Sequence, residues 1–381
     1  MPMRPIRCLL LAALMLPGTA MANGVEVCDV PPRFGVEATA TAIVRTACQE
    51  HRMWLRPFIE ADGRLASLGV TEAERAPLFD EVTPAWQRVA QYWRESGTLS
   101  SMAAGGTAGA ASCMYPGGGR EVDNDCRAFL VDNPWSAAFI SWVMGRAPLP
   151  GFIGSPRHLD YIARAWRNPE TSPYLFADPF TGKAVPGDML CFLRADDEGL
   201  GPAGLRAALS GQGRLPTRSH CEIVVAANVG GDRTLYLIGG NVLNSVVMRK
   251  LPLDRSGRLD PAALGQAMAG VPGAQAGAPD AGPVQAAAAA QPASGATPSH
   301  AAIPAVSAGA AEAEDSATPI NAAACRPGNA AACSFNRRDW AVLLKLKPQA
   351  QLGGILSLAG APMAAPAAPP APAHNTPEPA H

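Results

Sequence analysis

Aromatic residues are confined to one part of this chain. Of its 22 Phe, Trp and Tyr residues, 20 lie between Phe34 and Tyr236, and none lies between Leu237 and Ser334. Residues 261–318 instead contain 23 alanines in 58 positions, with repeated Pro, Gly, Gln and Ser. Because alanine buries little apolar surface and still loses backbone freedom when it is ordered, we expect that stretch to stay disordered. The sequence therefore predicts one globular domain with low-complexity additions.

The charge balance limits the partners that such a domain can have. The formal net charge is -1 at pH 7, whereas nucleic-acid binding and adsorption to anionic membranes usually need a basic surface. We therefore expect no nucleic-acid partner.

The first residues predict export. Arg4 and Arg7 precede an apolar run at residues 8–16, and a small-x-small pattern ends at Ala22. This order is typical of a secretory signal peptide, and we expect cleavage after Ala22 and a periplasmic or secreted protein. The alternative is an uncleaved N-terminal anchor. No other stretch approaches the roughly 20 apolar residues of a membrane span, so the mature chain is expected to have none.

The cysteines agree with an oxidising compartment. Eight remain after Cys8 is removed with the signal peptide, and an even number in an exported chain predicts disulfides. Short sequence separations favour three pairs: Cys28–Cys48, Cys113–Cys126 and Cys325–Cys333. Cys191 is expected to be a core residue or to pair with Cys221. The chain has no CxxC pair and no His at zinc-finger spacing, so we predict no metal and no cofactor.

Hydrophobic periodicity changes along the chain. Helical spacing is found within residues 38–53, from Trp86 to Trp93, after Asn133-Pro134 and after Ser155-Pro156. Short apolar or β-branched runs at residues 189–193, 222–226, 234–239 and 245–251 then predict strands. Helices followed by a meander of strands indicate an α+β fold with an antiparallel sheet.

The predicted organisation has six parts. They are a signal peptide (1–22), an N-terminal helical part (23–99), a core that carries the site (100–253), a low-complexity insertion with a Cys325/Cys333 loop (254–334), the last strand of the core (335–347) and a disordered tail (348–381). A strand signal at residues 340–346 places the insertion within the sheet, because a lone strand cannot bury itself. The alternative is a separate helix in that segment.

One predicted hairpin brings two polar side chains together. A two-residue turn at Gly230-Gly231 would pair residues whose numbers sum to 461, which places His220 opposite Asn241. Directly paired residues lie about 5 Å apart on the same face, so Asn241 could orient the imidazole as a general base. The alternative is that Asn241 serves a turn and His220 ends a strand.

Ser136 is the candidate nucleophile. It lies in the first turn of a predicted helix, where free N–H groups and the helix dipole stabilise negative charge. A serine hydroxyl reacts only with a base in hydrogen-bond reach. The alternative is a small residue without a chemical role. Cys221 is a poorer candidate, because neighbouring strand residues point to opposite faces and it cannot meet the ring of His220.

Four sequence blocks carry a resemblance to known families. Residues 134–139 (Pro-Trp-Ser-Ala-Ala-Phe) resemble the start of the nucleophile helix in papain-like cell-wall amidohydrolases of the CHAP and NlpC type, which have cysteine where this chain has Ser136. Taken together with three further blocks, this segment makes the chain similar to the bacterial family called domain of unknown function 2272. The three blocks are His-x-x-Tyr at 158–161, His-Cys-x-Ile-Val-Val at 220–225 and Ile-Gly-Gly-Asn at 238–241. The resemblance covers residues 86–251 and the strand near Trp340.

The resemblance implies a papain-like fold and an amide bond of peptidoglycan peptides as substrate. In that hypothesis Ser136 is the nucleophile, His220 the base and Asn241 the orienting residue, while Trp135 and His158 line the substrate pocket. Because a serine cannot be held as an anion as a thiolate can, the alternative is a non-catalytic module that binds peptidoglycan or another envelope component. A third hypothesis is a structural secreted protein whose Ala/Pro-rich arms contact partners.

Overall fold

The computed structural model describes residues 26–30, 36–72, 74–194, 200–264, 334–336 and 340–359. The predicted signal peptide, Cys325, Cys333 and most of the predicted insertion lie outside these residues. No helix within the described ranges is both long and apolar enough to cross a membrane.

The domain is an α+β fold built on one sheet. The helices are, in chain order, α1 (Ala38–Met53), α2 (Ala85–Glu95), α3 (Thr98–Ala104), α4 (Arg120–Asp132), α5 (Ser136–Arg146), α6 (His158–Arg167), α7 (Gly201–Leu209) and α8 (Gln349–Ala359). The strands are β1 (Phe58–Ile59), β2 (Leu65–Ser67), β3 (Tyr174–Ala177), β4 (Met189–Leu193), β5 (Ser219–Ala227), β6 (Thr234–Val242), β7 (Ser245–Pro252) and β8 (Trp340–Leu346). The periodic helices and the meander strands of the sequence analysis are all present, whereas α4, α7 and β3 were not predicted. The spacing of Val122, Cys126, Phe129 and Leu130 in α4 was a helical signal that the sequence analysis missed.

The eight strands lie in the order β2-β1-β7-β6-β5-β4-β8-β3. The sheet is mixed, not purely antiparallel as expected, because β1 runs parallel to β7. β1 and β2 also show that the part predicted as helical contributes a hairpin to the sheet. The segment at Trp340 is a strand, and it lies between β4 and β3, where neighbours on both sides satisfy its backbone.

Both faces of the sheet are covered. One face packs against α1, α2, α5 and α6, and α5 is buried along residues 136–144. On the other face, Leu190, Phe192 and Trp340 pack with Leu259 and Leu264, which follow β7. The N-terminal end of α5 therefore lies in the interior of the domain, directly over the central strands β5 and β6.

Two predicted boundaries are wrong. Residues 254–264 were assigned to the low-complexity insertion, but they fold onto the sheet through the buried side chains of Leu259 and Leu264. The tail was predicted to be disordered from residue 348, but α8 continues to Ala359 and buries Leu352 and Ile355. Both segments carry a few large aliphatic residues among many small ones, and these suffice to hold them.

The predicted turn is also wrong, although the predicted register is found. Residues 229–231 form a short 3-10 turn, and Ala227 pairs with Leu235, one residue out of the predicted register. A bulge between Val224 and Ala226 then restores the pairing of Ile223 with Ile238, whose numbers sum to the predicted 461. The longer turn and the extra bulge residue cancel before the strand reaches His220.

Three disulfides join described cysteines. Cys28–Cys48 and Cys113–Cys126 confirm the pairs that short separation favoured. Cys191 and Cys221 are directly opposite each other on β4 and β5 and form the third bridge. Asp188, just before β4, accepts from the backbone N–H groups of Val185 and Leu346, and so fixes the entry of the chain into β4.

Candidate active site

Ser136 is the first residue of α5. Pro134 precedes the helix and the N–H of Phe139 donates to the carbonyl of Trp135, so helical bonding starts there. The N–H groups of the first turn have no partner within a helix, and they point toward its start together with the positive end of the dipole. Ser136 is 4% exposed, which places this hydroxyl in a sheltered, low-dielectric position.

The hydroxyl of Ser136 meets His158, not His220. Ser136 Oγ lies 2.7 Å from His158 Nε2, and the other ring nitrogen, Nδ1, is hydrogen-bonded to the hydroxyl of Tyr161. His158 and Tyr161 lie in the first turn of α6 at spacing i and i+3, which puts both on one helix face. The result is a chain of Ser136, His158 and Tyr161 linked through both nitrogens of one imidazole.

The surroundings keep His158 neutral. Burial lowers the pKa of His158 well below its usual 6.5, and the positive charges that His220 and Arg194 can carry lower it further. Burial raises the pKa of Tyr161 well above 10.0, so the phenol keeps its proton. With its proton on Nδ1, neutral His158 donates to Tyr161 Oη and accepts from Ser136 Oγ–H through Nε2. That tautomer has the lone pair that a general base needs.

His220 is held by two other groups. Arg194 Nη2 lies 3.1 Å from His220 Nδ1, and a guanidinium can only donate, so Nδ1 is the acceptor. The proton is then on Nε2, which faces Glu222 Oε1 at 3.5 Å. His220 is thus held by a hydrogen bond at Nδ1 and by an electrostatic contact with Glu222 at Nε2, and its ring centroid lies 5.2 Å from that of His158. The ring of His220 thus lies beside that of His158, but His158 is the histidine that is hydrogen-bonded to Ser136.

Glu222 is a buried carboxylate that the sequence analysis missed. It lies two residues after His220 on β5 and therefore on the same face of the strand. Arg249 on β7 places Nε 3.0 Å from both oxygens of Glu222, and its Nη1 donates to Phe335 O and to Asn336 Oδ1. Pairing of the two charges makes their burial tolerable. The i, i+2 spacing of His220 and Glu222 was the sequence signal that could have identified this group.

Asn241 does not orient the histidine. It lies at the end of β6 with a positive φ of 55°, 6% exposed. Its Oδ1 accepts no hydrogen bond from any group that the structure describes. The pairing of β5 with β6 reaches only Ile223 and Ile238, and the left-handed backbone of Asn241 beyond that point breaks the extended geometry on which the predicted contact with His220 depended.

Trp135 is a core residue. Its ring is fully buried and stacks on Trp54 and Tyr92, with centroid distances of 5.6 and 5.7 Å. The predicted role in lining a substrate pocket is therefore wrong, because the side chain anchors α5 to α2 and to the end of α1. His158, for which the same role was predicted, contacts Ser136 directly.

The two glycines before Asn241 have a packing function. A Cβ on Gly240 would lie 2.5 Å from Phe139 Cγ in α5, and one on Gly239 would lie 2.8 Å from Glu222 Cγ and 3.1 Å from His220 Nε2. Because Gly240 and Gly239 have no side chains, β6 can lie close to α5 and to His220 and Glu222. The Ile-Gly-Gly-Asn block is explained by this close approach.

Within the described part of the chain, one group of side chains has the composition of a metal site. Glu26, Cys28 and His51 place their potential ligand atoms within 4.8 Å of one another. Cys28, however, is bonded to Cys48, so the group has no thiolate to offer. Near Ser136, the ring nitrogens of His158 contact Ser136 and Tyr161, and those of His220 contact Arg194 and Glu222.

Comparisons with known proteins give one match. A family model described as an uncharacterized protein conserved in bacteria (DUF2272) matches residues 80–346, which include every residue of the Ser136 site. No curated protein and no solved structure matches the chain.

Proposed function

The chain belongs to the DUF2272 family of bacterial proteins, and we propose that it is a hydrolase in which Ser136 attacks a carbonyl group with His158 as the general base. The observation that carries this proposal is the 2.7 Å contact between Ser136 Oγ and His158 Nε2 at the start of a buried helix. A nucleophile, a neutral base and a third group on the far side of that base are the parts that acyl transfer requires.

The proposed reaction proceeds in two steps. Ser136 Oγ bonds to the carbonyl carbon while its proton moves to His158 Nε2, and the oxyanion faces the free N–H groups of the first turn of α5. His158 then gives the proton to the leaving amine as the C–N bond breaks. In the second step water bonds to the acyl carbon and gives a proton to His158. The ester bond to Ser136 Oγ then breaks, the carboxylic acid leaves, and His158 returns the proton to Oγ. Tyr161 accepts from Nδ1–H throughout and stabilises the imidazolium.

His220 has a supporting role in this proposal. Arg194, Glu222 and Arg249 hold its ring beside His158, where it limits the space around the base. The base role that the sequence analysis gave to His220 is transferred to His158 because of the contact with Ser136.

The proposed substrate is an amide bond in peptidoglycan peptides of the cell envelope. The support is the resemblance of residues 134–139 to the start of the nucleophile helix in papain-like cell-wall amidohydrolases, together with the packing of α5 on β5 and β6. The papain-like comparison is part of the proposal. Export, which this substrate requires, is supported by the three disulfides.

The test is covalent labelling of the serine, because it does not depend on knowing the substrate. A fluorophosphonate should label Ser136 in the wild type, Ser136→Ala should abolish the label, and His158→Ala should slow it by about 100-fold, the lower end of general-base contributions. Ser210→Ala, an exposed serine after α7, is the matched control and should label normally. Incubation with peptidoglycan fragments should then release free amines from the wild type alone. A folded protein that takes no label and releases no amine would exclude the hydrolase.

A second function is favoured by the closure of the site. Ser136, His158 and His220 are each at most 4% exposed, which is also expected of a polar core in a non-catalytic envelope-binding module. In that case the protein should sediment with purified peptidoglycan equally well in the wild type, Ser136→Ala and His158→Ala, with neither labelling nor turnover.

A further inference from the structure

A groove separate from the Ser136 site lies between α1 and the sheet. Its volume is about 310 Å³, and none of its lining residues contacts Ser136, His158 or His220. The lining is dominated by one residue type, valine, contributed by the N-terminal segment, α1, the segment before β4 and the end of β5: Val27, Val30, Val36, Val44, Val185, Val225 and Val229. Ligand pockets have volumes of roughly 300–1,000 Å³ and mainly apolar walls, so the groove has the size and lining of a small one.

The walls of the groove are held in place by the fold. The Cys28–Cys48 disulfide ties the segment that carries Val27 and Val30 to α1. On the opposite wall, the bulge of β5 lies between Val224 and Ala226, and Val225 and Ala226 both line the groove. A bulge of this kind redirects side chains out of the regular alternation. A groove that is formed before binding costs little ordering free energy when a ligand enters.

One charge marks an end of the groove. Among the described lining residues, Lys183 alone is charged and its side chain is exposed, and the other polar side chains there are Thr41 and Asn228. A ligand with an apolar tail and an anionic head would bury the tail among the valines and keep the head in water beside the ammonium group, without leaving a charge buried and unpaired.

We propose that this groove binds the single acyl chain of a fatty carboxylate, with the carboxylate at Lys183. The volume accommodates one medium-length chain but not the two chains of a phospholipid. This site is independent of the proposed hydrolase, because it shares no residue with it, and it would persist if Ser136 proved inert.

The first experiment uses chain length. Binding of octanoate, decanoate and dodecanoate to the whole protein is measured by calorimetry below their micelle concentrations. Affinity should rise about fourfold per added methylene until the groove is full, since each buried methylene contributes about 0.8 kcal/mol. 1-Dodecanol, which has the tail without the charge, should bind more weakly than dodecanoate.

The second experiment tests the assigned ends of the groove. Lys183→Met should weaken dodecanoate binding about fivefold, the effect of one exposed ion pair, and should leave the binding of 1-dodecanol unchanged. Arg120→Met is the control, because it removes an exposed cation on α4 that is not part of the groove. Val44→Trp should fill the groove and abolish binding of both, with the thermal midpoint checked to show folding. The proposal would be overturned if no saturable binding is seen or if dodecanoate and 1-dodecanol bind with equal affinity. It would also be overturned if the protein dimerises through this face, or if it cosediments with phosphatidylglycerol vesicles instead of binding the monomeric ligand.

Discussion

At the residue scale, the chemistry depends on which nitrogen of which histidine meets Ser136. The contact of Nε2 of His158 with Ser136 leaves Nδ1 for Tyr161, so the phenol is the group that fixes the ring. Tyr161→Phe keeps the aromatic packing but removes the acceptor for Nδ1–H. We expect labelling of Ser136 to slow by about tenfold, since loss of one hydrogen bond to a group that becomes charged costs roughly 1.5 kcal/mol.

Tyr174→Phe is the control for that experiment. Tyr174 is also buried, but its hydroxyl donates to Gly187 O, away from the imidazole. If the two phenylalanine variants lose labelling rate equally, Tyr161 stabilises the domain without orienting His158, and the assigned chain of three residues is incorrect.

The neutral state of His158 gives a second expectation at this scale. Because burial first, and then the neighbouring cationic groups, lower its pKa well below 6.5, the base stays unprotonated in mild acid. The labelling rate of Ser136 should therefore be constant from pH 8 to pH 6 and fall only at lower pH. Arg194→Met removes one of the cations that lower the pKa, so the fall should begin at higher pH. Arg120→Met should leave the profile where it is. A wild-type profile that already falls between pH 8 and pH 7 would contradict the assignment of His158 as base.

At the element scale, α8 shows that large aliphatic residues order a segment that follows the core. Four of its eleven residues are Leu or Ile, Leu352 and Ile355 are buried, and a Cβ on Gly151 would lie 2.5 Å from Ile355 Cγ2. The helix is therefore docked on the loop between α5 and α6, which leads to His158. Leu352→Ala should lower the free energy of unfolding by about 2–4 kcal/mol, as for other buried leucines.

Gln351→Ala, one residue earlier and exposed, provides the comparison and should change stability by less than about 0.5 kcal/mol. Urea unfolding of both variants measures the difference. Equal stabilities would mean that α8 does not pack on the domain in solution.

At the scale of the whole molecule, the sequence predicted most elements but assigned His220 as the partner of Ser136, whereas Ser136 contacts His158. Apolar patterns gave α1, α2, α5, α6 and the strands β4 to β8, because those elements carry periodic or continuous apolar residues. The partner of Ser136 could not be derived in the same way, since α6 and β5 each bring a histidine near the start of α5. The choice between them depends on about 5 Å in the packing of a helix on a sheet, which local patterns do not encode.

Besides His158, two buried groups make opposite contributions to the pH dependence of stability. Burial raises the pKa of Glu72 from 4.5 to about 7 and lowers the pKa of His51 from 6.5 to about 4. Between pH 4.5 and 7 the folded protein holds a proton on Glu72 that the unfolded chain has released, so this group makes stability fall as pH rises. Between pH 4 and 6.5 the unfolded chain holds the proton on His51, so that group makes stability rise. The two contributions cancel between pH 4.5 and 6.5.

Replacing Glu72 by glutamine should separate these contributions. Glu72 is 4% exposed, and its backbone N–H donates to Asn244 O in the turn between β6 and β7, so the variant keeps the backbone contact and loses the titration. The stability of Glu72→Gln relative to the wild type should increase by roughly 2–3 kcal/mol from pH 5 to pH 8, since each unit of pKa shift corresponds to about 1.4 kcal/mol. Urea unfolding at several pH values measures it, with the exposed Glu74→Gln as control. If the stability difference between Glu72→Gln and the wild type does not change with pH, Glu72 is charged in the folded state. The end of β6 that leads into this turn would then be open to water.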